Sequence, residues 1–177
     1  EGALDLLNKL SNHHEVEWIT GQPSIRALNG VIKNHNIYYS NELVQSGLCD
    51  GDSWWFIQQE GTFWRAKLWP DISKKSQFAS KNFAGDYHLW RVLAEHAELY
   101  QYDGAMGHFN KREGQISSAQ IDKYYIEVKS YWEKFLSKPA LKKYSIHKLK
   151  RIYLENKKVI FNEVGFRVDG KFCVREL

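Results

Sequence analysis

Asp86 is the residue of this sequence best suited to acid–base chemistry. It stands between Gly85 and an amphipathic run in the stretch NFAGDYHLWRVLAEHAELY (82–100). Aspartate is a favoured helix N-cap, because its side chain accepts a hydrogen bond from a backbone N–H of the first turn. The positive end of the helix dipole then lowers the pKa of the carboxyl, and an ionised carboxylate is what a general base for a hydroxyl group must be. The local sequence favours a cap, and this role is compatible with a catalytic one.

A second candidate is the stretch IQQEGTFWR (57–65), which sets hydrogen-bonding side chains beside flat aromatic faces. A sugar needs planar bidentate groups for its vicinal hydroxyls and a ring that covers its C–H face. The polar and aromatic candidates are Gln58, Gln59, Glu60, Thr62, Trp64 and Arg65. The alternative, a surface strand or helix start that buries its aromatic side chains, is equally compatible with the pattern.

Two further patterns carry weaker signals. Asp50 and Asp52 in CDGDS could share a divalent cation, although the same letters are typical of a solvated turn, which is the favoured interpretation. His108, Lys111 and Arg112 stand in a loop ahead of a helix start, where cations suit a phosphate. A solvated basic loop is again the favoured alternative.

The first half of the chain predicts short strands and a short helix around these candidates. EVEWIT (15–20) alternates as a strand does. SIRALNGVIKN (24–34) predicts a hairpin turning at Asn29-Gly30, where both turn residues need a positive φ. NELVQSGL (41–48) predicts a short helix that Gly47 ends.

The second half predicts a helix from Asp86, two short strands around Asp103-Gly104, and then two helices. The first of these two starts at a capping box and ends at Pro139, and the second is basic and covers about 141–155. The tail predicts strands with a hairpin turn at Asp169-Gly170. The residues expected on buried helix faces are Leu89, Trp90, Leu93 and Ala97, then Ile121, Tyr124, Val128, Trp132 and Phe135, and the capping box is Ser117 with Gln120. The whole order predicts a single mixed α/β domain.

The composition of the chain excludes few kinds of partner. The net charge of +4 permits anionic partners, but no Lys/Arg block is long enough to indicate a nucleic-acid tail. Aromatic residues make up 15% of the chain, which is high enough to supply stacking surfaces as well as a core. Cys49 and Cys173 are far apart, which argues for a reducing compartment and against a disulfide scaffold.

Four stretches, taken in order, resemble the second half of a family 2 glycosyltransferase with the GT-A fold. They are EVEWITGQPSI, FIQQEGTFWRAKLW, GDYHLWRVLAEHAELYQYDGAMGHF and FNKREGQIS. They resemble the W-[IL]-T-G-x-P strand, the I-Q-Q-E-x-x-F-W-R segment, the [AEG]-D-x-x-L-W helix with its following strands, and the F-R-x-[HR]-x-G-Q-x-S loop. Each motif is modest alone, but their order and spacing are fairly specific. The resemblance spans roughly residues 1–118 and does not extend past about 140.

The resemblance implies inverting transfer of a sugar from a nucleotide-sugar donor to an acceptor hydroxyl. Asp86 matches the catalytic base that removes the acceptor proton. Gln59 and Glu60 match positions that line the acceptor and donor-sugar pocket, and Trp64 and Arg65 would support it. Gly21, in the strand motif, and Arg112, in the loop motif, complete the expected substrate-binding residues.

Two departures from the family pattern affect the expected chemistry. The family often has a metal- or diphosphate-binding histidine where this chain has Arg112, which can pair with a diphosphate but cannot ligate a metal. The nucleotide-binding strands and the D-x-D motif of the family would precede Glu1, and Asp50 with Asp52 lies on the wrong side of the strand motif to replace them. The Mg or Mn ion of a complete enzyme would therefore have most of its ligands outside this chain.

We expect an α/β fold with a mixed sheet and flanking helices. Residues 1–138 are expected to form the second half of a GT-A fold, and residues 139–177 to form an extension made of the basic helix and strands. The expected partners are a nucleotide-sugar donor and a carbohydrate acceptor in the cytoplasm, without nucleic acid, while peripheral contact with a membrane stays open. The alternative from another class is a non-catalytic carbohydrate-binding or interaction module.

Overall fold

The described part of the chain forms two β-sheets with flanking helices, which confirms the predicted mixed α/β architecture. The computed structural model describes residues 2–71, 83–115, 119–135, 146–170 and 173–177. Its α-helices are α1 (Ala3–Lys9), α2 (Asn41–Gln45), α3 (Gly85–His96) and α4 (Ile121–Phe135). Its strands are β1 (Trp18–Thr20), β2 (Ser24–Arg26), β3 (Ile32–Asn34), β4 (Thr62–Trp64), β5 (Leu99–Tyr102), β6 (Phe109–Asn110), β7 (Ile146–Glu155), β8 (Lys158–Gly170) and β9 (Cys173–Glu176). None of the helices in these ranges is long and apolar enough to cross a membrane.

The larger sheet has six strands in the order β4-β1-β5-β7-β8-β9. Strands β1, β5 and β7 run parallel, while β4, β8 and β9 are antiparallel to their neighbours. The parallel register pairs Trp18 with Leu99 and Tyr100 with Lys150. Residues from both sides of the expected boundary at 138 thus share one sheet.

The smaller sheet has the order β3-β2-β6 and lies beyond the carboxyl ends of β1 and β5, because short connections join β1 to β2 and β5 to β6. The predicted β2–β3 hairpin is confirmed, but its loop is wider than a two-residue turn. The N–H of Ala27 donates to the carbonyl of Val31 at 2.8 Å, and Gly30 takes a positive φ of 80° whereas Asn29 does not. The two strands predicted around Asp103-Gly104 exist as β5 and β6, but they belong to different sheets and do not pair with each other.

Two apolar clusters cover the opposite faces of the larger sheet. Adjacent residues of a strand point to opposite faces, and accordingly Trp18 belongs to one cluster and Ile19 to the other. The Trp18 face packs on α2 and α3, where the predicted stripe Leu89, Trp90, Leu93 and Ala97 is buried. The Ile19 face is covered by α1 through Leu6 and Leu10. Helix α2 ends as predicted, since Gly47 has a positive φ and the N–H of Leu48 donates to the carbonyl of Leu43 at 3.0 Å.

The predicted basic helix over about 141–155 is wrong over 146–155, which form strand β7. In this segment His147 and Leu149 are buried while Ile146 and Lys148 are exposed, so the burial has the two-residue period of a strand. A two-residue turn at Asn156-Lys157, with φ values of 49° and 65°, leads into β8.

The strands predicted for the tail are confirmed as β8 and β9. Gly170 pairs with Cys173, so the connection between them falls at 171–172 and not at Asp169-Gly170. Residues 171–172, Ser117 and Pro139 lie outside the described residues, and so do the side chains of Trp132 and Phe135.

Candidate active site

A cleft of about 740 Å³ lies between the smaller sheet, the polar-aromatic stretch before β4, and the first turns of α3 and α4. Its polar lining includes Gln58, Gln59, Glu60, Asp86, Lys111, Gln115 and Gln120. Its apolar lining includes Ile25, Trp55, Phe56, Phe83, Phe109, Ile121 and Tyr124. The cleft thus combines carboxylates with aromatic walls in a space of the size that small-molecule ligands occupy.

Asp86 lies at this cleft as the second residue of α3 and does not cap the helix. The N-cap residue is Ala84, and no side chain of the N-cap accepts a bond there. The Asp86 carboxylate instead accepts a hydrogen bond from the N–H of the next residue, Tyr87, at 2.8 Å. The predicted capping role is therefore wrong.

Glu127 of α4 satisfies the start of α3 in place of Asp86. One of its carboxylate oxygens accepts the N–H of Phe83 at 3.0 Å and the N–H of Ala84 at 2.8 Å. These donors stand at the helix start, where backbone N–H groups have no partner within the helix. A carboxylate that comes from a helix far along the chain leaves no local pattern near residue 84, so sequence reasoning missed it.

Burial raises the pKa of Asp86 to about 6, from 3.8 for an ordinary aspartate. The walls of the cleft remove most of the water that would stabilise the charged form, and the negative charge of Glu60 adds a smaller increase. Hydrogen bonds from backbone N–H groups act in the opposite direction but do not cancel the burial. The expectation that the helix start would lower this pKa is thus wrong. The carboxyl remains mostly ionised at neutral pH, with a basicity closer to that pH than an exposed aspartate has.

Gln58, Gln59 and Glu60 approach the cleft from the 3₁₀ turn that precedes β4. Gln58 is buried and fixed, since its side-chain oxygen accepts the N–H of Ser24 at 2.8 Å and its carbonyl accepts the hydroxyl of Thr62 at 2.7 Å. Gln59 and Glu60 are exposed at the cleft, where a bound ligand can contact them. The turn sits directly on Gly107, where a Cβ atom would lie 1.9 Å from the carbonyl oxygen of Glu60.

Three of the expected substrate-binding residues lie away from the cleft. Arg65 is held by backbone carbonyls, donating to Val16 at 2.9 Å and to His13 at 2.9 Å, and it also bonds the carbonyls of the turn after α1. The ring of Trp64 packs edge-on against Trp90, with 5.9 Å between the ring centroids. Gly21 allows a close crossing of two loops, since a Cβ there would lie 2.7 Å from the backbone N of Met106. All three are placed to hold the fold that carries the site.

The basic loop contributes one side chain to the cleft. Lys111 lines it, whereas Arg112 is exposed and is not among the lining residues. His108 lies 2.6 Å from the hydroxyl of Ser24, measured from its Nδ1 atom to Ser24 Oγ. Of the phosphate-binding candidates, Lys111 is therefore the one that reaches the same space as Asp86.

Asp50 forms the predicted turn. Its carboxylate accepts the N–H of Asp52 at 2.9 Å and the N–H of Ser53 at 2.6 Å, the pattern of an Asx turn. In the described ranges no three or more His, Cys, Asp or Glu side chains are grouped so that they could hold a metal ion. The donor set at the cleft therefore does not fit a metal site by itself.

Some of the aromatic lining could be expected from the sequence and some could not. Trp55 and Phe56 belong to the mixed aromatic and polar stretch that precedes β4, and such a mixture is typical of a segment that faces a site. Phe109 and Tyr124 carry no such signal, because each lies on an element whose pattern predicts only a strand or a buried helix face.

Comparison of the chain with protein-family models, with characterised proteins and with solved structures gave no match.

Proposed function

We propose that the chain is the acceptor and catalytic-base part of an inverting glycosyltransferase of the family 2 type, with the GT-A fold. The observation that supports this most is that Asp86 and the Gln59-Glu60 pair, which come from separate motifs of the resemblance, line one cleft. The two motifs lie well apart in the sequence, so only the tertiary structure brings their side chains to the same cleft.

In the proposed reaction Asp86 is the base. The acceptor hydroxyl oxygen attacks the anomeric carbon of the donor sugar, forming the new glycosidic bond. The bond from that carbon to the diphosphate breaks, and the nucleoside diphosphate leaves with the electron pair. The hydroxyl proton passes to the Asp86 carboxylate, whose raised pKa makes it a better acceptor of this proton than an ordinary aspartate.

The other lining residues suit a carbohydrate acceptor. Gln59 and Glu60 offer amide and carboxylate groups for pairs of hydroxyls, and Trp55 offers a flat face for a sugar ring. Lys111 supplies a positive charge at the same cleft, where it would favour the charged diphosphate.

Apart from the charge of Lys111, we assign no described residue to the donor. The divalent cation expected for a complete enzyme, Mg or Mn, finds no ligand cluster among the described residues, and we route no step through it. A nucleotide-sugar donor would place the reaction in the cytoplasm, where such donors are made.

The proposal is tested by release of nucleoside diphosphate from a panel of nucleotide sugars, using the full-length protein and saccharide acceptors. We expect Asp86→Asn to lower kcat by roughly 10²- to 10⁴-fold, the usual contribution of a positioned general base. Asp103→Asn, which makes the same chemical change at an exposed position after β5, is the matched control and keeps its activity.

Near-normal transfer by Asp86→Asn would remove Asp86 from the mechanism. The same panel distinguishes the proposed function from the alternative one. A non-catalytic carbohydrate-binding module is favoured by the aromatic wall around Trp55, and it predicts saccharide binding that quenches tryptophan fluorescence, with no transfer for any donor.

A further inference from the structure

The tip of the β2–β3 hairpin exposes apolar side chains in a cluster. Leu28 is 66% exposed, Val31 50% and Ile32 42%. Other strongly exposed apolar residues lie on other elements and include Leu4 on α1, Ile146 at the start of β7, and Ile121, Tyr125 and Ile126 on α4. Single exposed apolar residues are ordinary on protein surfaces, whereas several together usually mark a contact surface.

Positive charges surround these apolar residues. Arg26 and Lys33 lie on the two strands of the hairpin, in neighbouring registers, so they flank its tip from opposite faces. Lys111 comes directly after β6, the strand that pairs with β2, and its N–H donates to the carbonyl of Arg26 at 2.9 Å. Arg112 comes next in the chain, and all four cations are exposed.

The charge of this region is unbalanced. The stretches 24–34 and 109–113 contain four cations and one carboxylate, Glu113, which gives them a net charge of +3 against +4 for the whole chain. None of the four forms a salt bridge with another side chain in the described ranges. By contrast Lys67, Lys148 and Lys150, on the larger sheet or next to it, are each paired with a glutamate.

We propose that this basic-apolar patch, made of Arg26, Leu28, Val31, Ile32, Lys33, Lys111 and Arg112, docks on the surface of an anionic lipid bilayer. Apolar side chains enter the boundary between headgroups and acyl chains, while Lys and Arg beside them contact the anionic headgroups. A nucleic acid accounts for the cations but not for Leu28 and Val31, and an apolar protein groove accounts for those two but not for the unpaired charge.

The proposal does not rest on the proposed function, although the patch and the cleft share Lys111. It does orient the molecule. Ile25 and Phe109 of the same sheet line the cleft, so the docked hairpin holds one wall of the cleft close to the lipid.

The test is cosedimentation of the full-length protein with vesicles of phosphatidylcholine, with and without phosphatidylglycerol, at low and high salt. We expect partition into the anionic vesicles that weakens in pure phosphatidylcholine and at high salt. Arg26→Gln with Lys33→Gln lowers this partition roughly 25-fold, because each cation near an anionic surface contributes about fivefold. Leu28→Ser with Val31→Ser lowers it on the order of tenfold or more.

Matched controls change the same residue types at the opposite end of the larger sheet, where its parallel strands begin. Lys67 contacts Glu17, just before β1, and Lys148 lies near the start of β7. Lys67→Gln with Lys148→Gln therefore removes two charges, and Ile146→Ser removes one exposed apolar side chain, without touching the patch. Both controls keep the partition within about twofold of the wild type once salt screens the long-range effect of the lost charges.

Three results overturn the proposal. The first is equal sedimentation with neutral and anionic vesicles. The second is an equal loss of partition in the patch and control variants. The third is binding to an oligonucleotide, but not to vesicles, that Leu28→Ser with Val31→Ser leaves unchanged. Thermal unfolding of each variant checks that the substitutions at exposed positions preserve the fold. Failure of sugar transfer bears on none of these results.

Discussion

Replacing Asp86 by Asn is expected to make the protein more stable at neutral pH while removing its base. The pKa of this carboxyl is 3.8 in an ordinary aspartate and about 6 in the folded protein. Folding thus favours the protonated form, and the ionised form destabilises the fold above pH 6. The difference corresponds to about 2–3 kcal/mol, the lower figure allowing for the part of the side chain that faces the open cleft.

The sign of the pH dependence follows from proton uptake. Between pH 3.8 and pH 6 the folded state binds more protons than the unfolded state, so this group makes stability fall as pH rises through that window. Well below pH 3.8 both states are protonated and the contribution disappears. Asp86→Asn is neutral at every pH, and its amide oxygen can still accept the N–H of Tyr87.

Urea unfolding followed by tryptophan fluorescence at pH 8 and pH 4 measures the effect. We expect Asp86→Asn to exceed the wild type by about 2–3 kcal/mol at pH 8 but by only about 0.5 kcal/mol at pH 4, where the unfolded carboxyl is already partly protonated. The exposed control Asp103→Asn shows no such pH-dependent gain. If Asp86 were an N-cap, Asn would replace it with nearly equal stability at both pH values, and that result would refute the burial argument.

Two further predictions concern Glu127, which binds the start of α3, and Glu60, whose charge acts on Asp86. Glu127→Ala leaves the N–H groups of Phe83 and Ala84 without their acceptor and lowers the free energy of unfolding by about 1–3 kcal/mol, whereas Glu127→Gln keeps an acceptor oxygen and loses less. Thermal unfolding compares the two, and equal stability of Glu127→Ala and wild type would contradict the cap. Glu60→Gln removes a like charge and lowers the pKa of Asp86. The acidic limb of the pH–rate profile therefore moves to lower pH. The midpoint of the Asp86 titration, followed by NMR through its carboxyl carbon, moves in the same direction. A shift to higher pH would show that Glu60 acts on Asp86 in another way.

The parts of the fold set by local pattern were predictable. The stripe of Leu89, Trp90 and Leu93 identifies α3, and Gly47 identifies the end of α2, because each depends on a few neighbouring residues. Strand β7 was not predictable in the same way. Its Lys and Arg residues suit an exposed helix, and what decides for a strand is pairing with β5 and β8, which lie far away in the sequence.

The candidate site shows the same division. The chemical types at Gln59, Glu60 and Asp86 could be selected from their motifs, but the environment of Asp86 could not. Its pKa depends on burial within the cleft, which α4 helps to line through Ile121 and Tyr124. Its expected role as a cap passes to Glu127, which only the tertiary structure brings to the start of α3. Trp64 and Arg65 illustrate the converse, since both were selected for polar or aromatic character that the fold uses for packing and for binding backbone carbonyls.

Helix α4 both covers the cleft, through Ile121 and Tyr124, and holds the start of α3 through Glu127. Any displacement of α4 therefore has two simultaneous effects on Asp86. Water enters around the carboxylate, which returns its pKa toward that of an ordinary aspartate, and the turn that carries it loses its acceptor. The basicity of Asp86 therefore depends on the position of α4. With α4 in place Asp86 is a stronger base toward an acceptor hydroxyl than an ordinary aspartate, and without α4 that advantage is lost.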